Sequence, residues 1–146
     1  MTDLDRNSVL QAKTTGGIQS YPVAGSTHIY KGALCMIKAD GYLAKCTATA
    51  NSWFAGVAVD ECDASGSSTD GAQSVAVYRK GRFLMTFSDT LTQADVGSKV
   101  YATDDNVVTH TSASNKQKVG VLVEFVSASQ AWVEIDAGTA APELGT

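Results

Sequence analysis

Short apolar runs, cut at regular intervals by Gly, Asp and Asn, recur from residue 26 to residue 136. That rhythm constrains the fold more than any other feature, because it suits strands and turns and leaves no stripe long enough for a helix. The clearest case is Leu91–Thr111. A polar turn at Thr92–Asp95 leads through Gly97 to Lys99–Ala102, an acidic turn follows at Thr103–Asn106, and Val107–His110 returns. Asp, Asn and Gly tolerate turn dihedrals, while Val, Tyr and Thr fit a pleated surface. Thr92 is placed to cap a single helical turn, the only one expected.

Other pairs follow the same logic. Asp40-Gly41 sits between Ala33–Ala39 and Tyr42–Cys46, a strong hairpin signal. A two-residue turn there pairs Ile37 with Ala44 and Cys35 with Cys46, and gathers the apolar side chains on one face. Such a register allows a disulfide, although a reducing cytoplasm favours two buried thiols. Cys62 lies in a polar stretch with no evident partner. Trp53–Val59 is apolar almost throughout, as a strand buried on both faces would be, and Gly56 inside it marks a bulge or a close backbone approach. Ser74–Tyr78 and Arg82–Phe87 flank Arg79-Lys80-Gly81, which reads as a basic hairpin tip. Ala64–Gly71 reads as a flexible loop. In the closing pair, Val119, Val121, Val123 and Phe125 alternate onto one face, as do Ala131, Val133 and Ile135. The two faces meet only across an odd-length connection or a bulge.

These runs add up to about nine or ten short strands in an all-β sandwich or barrel. The 146 residues suit one domain, and 44% apolar content supports a core without a staple. Three limits are expected: residues 1–25 as an extended N-terminal arm, 26–136 as the β domain, and 137–146 as a flexible tail. The arm's alternative is a frayed terminus; Ser8–Ala12 within it has the composition of a short strand, and Gly16-Gly17 and Pro22 interrupt it.

Several function classes find no support. A net charge of −4 with scattered Lys and Arg argues against nucleic acid as a partner. No run approaches the roughly 20 apolar residues that span a bilayer, and the opening MTDLDRNSVLQ does not resemble a secretory signal. His28 and His110, the only histidines, lie in no nucleophile motif, and neither a phosphate loop nor a dinucleotide fingerprint is present. Asp60, Glu61, Asp63 and Asp70 invite a calcium reading, but their spacing does not match a calcium loop, and turn chemistry explains them and Asp104-Asp105 better. Trp53, Phe54 and Trp132 offer stacking surfaces for sugars but read first as core. No cofactor and no metal is expected, and no enzyme.

The order of the pieces resembles a known family. Asp40-Gly41 is followed by Gly56–Asp60, Val75–Gly81, the run Gly97-x-x-Val100-Tyr101-x-x-Asp104-Asp105, Val119–Leu122, and Ala131–Ile135. Over residues 26–136 this is similar to the small head decoration, or cement, proteins of tailed bacteriophages; the Gly97–Asp105 run is its most specific piece. The resemblance implies a compact β-barrel or β-tulip-like domain without enzymatic activity. It implies a homotrimer on the outside of the mature head, at or near local three-fold axes, with the major capsid protein as partner. The protein would be made in the host cytoplasm and would stabilise the virion shell. An arm that orders on the capsid is also implied, and Val9, Leu10, Ile18 and Tyr21 are then its candidate anchors. The alternative is a receptor- or glycan-binding module of a phage fibre or tail, which needs Trp53 or Trp132 exposed.

Overall fold

The computed structural model describes residues 17–137, 144 and 145. Among them are twelve strands and one 3-10 turn, and the domain is all-β. In chain order the strands are β1 (Ile18–Pro22), β2 (His28–Ile29), β3 (Leu34–Ile37), β4 (Leu43–Lys45), β5 (Trp53–Ala58), β6 (Cys62–Asp63) and β7 (Ser74–Tyr78). Then come β8 (Lys80–Phe87), the turn Gln93–Asp95, β9 (Lys99–Ala102), β10 (Val107–Thr109), β11 (Lys118–Ser127) and β12 (Gln130–Asp136).

The strands stack in three layers. A five-stranded sheet, β1-β7-β5-β3-β4, lies in the middle. On one side is a closed barrel, β10-β8-β12-β11-β9, and a two-stranded ribbon, β2-β6, belongs to the other side. Two cores result. Leu34, Met36, Ala44, Cys46, Phe54 and Val57 join barrel residues such as Val100, Leu122 and Val133. From the opposite face of the sheet, Cys35, Ile37, Leu43, Ala55 and Val77 meet Ile29, Cys62 and Ala64. This is why β3 and β5 are apolar almost throughout: apart from the half-buried Trp53 that opens β5, both faces of both strands are buried. Each fully buried side chain of the size of Phe54 contributes about 1.5–3 kcal/mol.

The chain passes between sheet and barrel at Arg79. Among the described residues, every strand up to Tyr78 belongs to the sheet or ribbon, and every strand from Lys80 belongs to the barrel. The expected hairpin across Arg79-Lys80-Gly81 therefore does not form. β7 pairs with β1 and β5, whereas β8 pairs along its length with β12, with Trp132 opposite Leu84. Two apolar strands around a basic turn look alike whether they pair with each other or part company.

The hairpin at Asp40-Gly41 forms one residue out of the expected register. Gly41 has φ +88°, and Lys38 N–H donates to Tyr42 O at 3.0 Å, so the loop holds three residues rather than two. Ile37 then faces Leu43, Met36 faces Ala44, and Cys35 faces Lys45. The slip sends Cys35 and Cys46 into different cores, and all three cysteines are free thiols.

Gly56 is the expected irregularity. The β3–β5 ladder slips between Cys35 and Met36, and Gly56 takes φ +149°. A Cβ there would fall against the Tyr78 carbonyl of β7. Bulges also reset β11. Register shifts lie between Lys118 and Gly120 against β9, and between Leu122 and Glu124 against β12. Val119, Leu122 and Phe125 consequently turn to the core, and Val121, expected there, is exposed. Ala131, Val133 and Ile135 are buried on one face as expected.

Both ends of the described chain are tied down further than expected. Residues 18–22, read as part of the arm, form β1 on β7, with Ile18 opposite Tyr78 and Tyr21 opposite Val75. Val23 and Ala24 are buried. The Ala64–Gly71 loop, expected to be flexible, is anchored there: Ser26 N–H donates to Ser67 O at 2.7 Å and Gly25 N–H to Asp70 Oδ1 at 2.8 Å. Within the expected tail, Leu144 bridges Gln117, and Gly145 N–H donates to Lys116 O at 2.7 Å.

Candidate interaction surface

The four candidate anchors do not behave as one group. Val9 and Leu10 lie outside the described residues. Ile18 opens β1 at the edge of the sheet and is 47% exposed. Tyr21 is half-buried and meets Trp53 edge-on, with ring centroids 6.4 Å apart, against the second core. Tyr21 is thus committed to the domain, while Ile18 remains available to a neighbour.

A second apolar surface was not foreseen. The outer face of β8, β11 and β12 carries Leu84 opposite Trp132, with Val121 and Val123 beside them. Trp132 is 36% exposed; Trp53 is half-buried and Phe54 fully buried. Trp132, Arg82, Val123 and Glu124 line a hollow of about 380 Å³. Arg82 Nε donates to Glu134 Oε1 at 3.1 Å at its rim. The signal for Trp132 was present in the alternation: with Ala131 and Val133 inside, the residue between them points out.

Both histidines and several carboxylates sit in local contacts. His28 stacks on Tyr30 at 4.1 Å, and its Nε2 is 2.6 Å from Glu61 Oε2. Asp63 accepts from Ser65 hydroxyl and N–H, which hold its carboxyl below the ordinary range. His110 sits between two carboxylates, with Nδ1 2.7 Å from Asp89 Oδ2 and Nε2 3.6 Å from Asp95 Oδ1. Asp95 also accepts the Thr92 N–H at 2.8 Å, which closes the helical turn. Asp89 Oδ2 accepts the hydroxyls of Thr109 at 2.7 Å and Thr111 at 3.1 Å, and the His110 N–H at 3.2 Å. Partial burial opposes ionisation of Asp89, but those hydroxyls and the neighbouring His110 outweigh it and hold its carboxyl below the ordinary range.

This arrangement offers little to nucleophilic chemistry. The threonine hydroxyls beside His110 are directed at Asp89 rather than at the imidazole. Burial pushes the Cys35 thiol up to about 12, helped by Asp105, and raises Cys46 in the same direction. Among the described residues, no three or more His, Cys, Asp or Glu side chains are grouped to hold a metal ion. Asp104 Oδ1 accepts the N–H groups of Asn106 and Val107, both at 2.8 Å, as a turn acid does. No described helix is long and apolar enough to cross a membrane.

No protein-family model, no curated protein and no solved structure matches the chain.

Proposed function

We propose that this chain is a structural protein of a tailed-phage virion. It binds the outer surface of the mature capsid through the major capsid protein, as a trimer at or near local three-fold axes, and stabilises the shell. The observation that carries the reading is the edge strand β1, which ends one side of the central sheet and leaves Ile18 exposed. The order of strand motifs over residues 26–136 adds the resemblance to head decoration proteins. Closed symmetry suits a shell with repeated equivalent sites.

Co-sedimentation with decoration-free mature heads tests the reading. Binding that saturates at a fixed ratio to the capsid subunit supports it; a folded protein that stays in the supernatant overturns it. An arm deletion should stop at residue 16, because removing residues 18–20 would strip β1 from β7.

One observation favours the second reading, a glycan- or receptor-binding module of a fibre or tail. Trp132 presents an exposed ring beside a carboxylate and a guanidinium, a combination that stacks on and hydrogen-bonds a sugar. Saturable quenching of Trp132 fluorescence by a host-surface oligosaccharide, without head binding, would decide for it.

A further inference from the structure

A groove of about 380 Å³ opens between the central sheet and the barrel. Leu34, Val57 and Tyr78 line it from the sheet, and Phe83 and Met85 line it from β8. The rings of Tyr78 and Phe83 meet at a tilt of 44°, with centroids 5.9 Å apart. At its mouth the groove shares Lys31 and Asp105 with a second hollow of about 280 Å³. An apolar cleft with a few polar groups at one end is the usual form of a small-molecule site.

Asp105 stands in that mouth without a structural task for its side chain. Its neighbour closes the β9–β10 turn: Asp104 Oδ1 accepts the N–H groups of Asn106 and Val107. The Asp105 main chain is pinned against β3, because its carbonyl accepts the Leu34 N–H at 2.8 Å. Its half-buried carboxylate makes no hydrogen bond and no ion pair among the described residues. The negative charge reaches inward, where it helps to raise the Cys35 and Cys46 thiols. A half-buried charge without a partner loses hydration with no compensation. Lys31 does not supply that partner. It is exposed and makes no ion pair with Asp105, so its own charge stays in water.

We propose that this groove binds a small organic cation with an apolar body, an aryl- or alkylamine. The ammonium meets the Asp105 carboxylate, and the body lies along Leu34, Val57 and Met85. The Tyr78 and Phe83 rings favour a positive head over a neutral one, since a ring face attracts cations. Such a site stands whether or not the protein binds a capsid.

Titration of the isotope-labelled full chain with 2-phenylethylamine, followed by amide chemical shifts, tests it. Shifts should gather at Leu34, Met85 and Asn106 and saturate with a Kd of about 1 mM, as suits a ligand so small. The neutral 2-phenylethanol should bind about tenfold more weakly, and the anionic 3-phenylpropanoate more weakly still. Asp105→Asn should bring the amine down to the level of the alcohol, while Asp105→Glu keeps the preference. Lys31→Met should leave amine binding as tight as before or tighter. Equal binding of amine and alcohol by the wild type overturns the proposal without recourse to any variant. So does tighter binding of the carboxylate, which would place the head group on Lys31, and so does an absence of shifts around the groove.

Discussion

Cys35 and Cys46 lie on opposite faces of the central sheet, one in each core. Leu34 O accepts the Cys46 N–H at 2.9 Å, so the two cysteines are near neighbours along the ladder, yet their side chains part. No disulfide can join them without moving backbone. Mass spectrometry of protein held in an oxidising buffer should find no Cys35–Cys46 bridge while the fold persists.

The buried thiols also set an alkaline limit. The Cys35 thiol is raised from the usual 9.0 to about 12, so the unfolded chain gives up its proton first. Stability from this group is fully present below pH 9 and is lost as pH rises toward 12, by about 4 kcal/mol at most. Cys46 acts in the same direction. Urea midpoints measured across that range should fall for the wild type and fall less steeply for Cys35→Ala.

Asp89 sets the acid side. Its carboxyl is held below the ordinary range, so the stability it contributes is present above that range and is lost as pH falls through the folded value. Asp89→Asn should lower stability by about 2 kcal/mol at neutral pH and flatten the acid limb of the urea-midpoint profile. An unchanged limb would mean that the Thr109 and Thr111 contacts do not act through the charge.

Gly56 tolerates no side chain. Gly56→Ala combines an unfavourable φ with a collision against the Tyr78 carbonyl and should cost about 3 kcal/mol, read from the urea midpoint. Equal stability in the two proteins would show that β5 and β7 can separate without loss.

Trp132→Ala should behave in the opposite way. The ring stands on the outer barrel face, so the substitution should change stability by only about 0.5–1 kcal/mol. It should also remove most of the acrylamide-accessible tryptophan emission, because Trp53 is packed against Tyr21. Dominant quenching of the remaining tryptophan would contradict this assignment.

How much of this was legible in the sequence varies by element. The β9–β10 hairpin was, because Asp104 and Asn106 announce its turn and β-branched residues flank it. The Asp40-Gly41 hairpin was legible as a hairpin but not in register, since a left-handed Gly41 serves two- and three-residue loops alike. The parting of β7 from β8 was not legible. Their partners, β1 and β12, are set by cores that neither strand encodes alone. In the candidate surface, Ile18 and Tyr21 looked equivalent as apolar residues, and only the edge contact with Trp53 separates them. His110 gave no hint of its two carboxylates, because Asp89 is brought to it by the barrel.

The single passage at Arg79 also dictates an order of events on the ribosome. Residues through Tyr78 emerge first and hold every described strand of the sheet and ribbon. Until the barrel is translated, Leu34, Met36, Phe54 and Val57 present a bare apolar wall to solvent. The nascent half is therefore most exposed to chaperones and to self-association during the synthesis of residues 80–136. The first strand then made, β8, has its long-range partner β12 completed last.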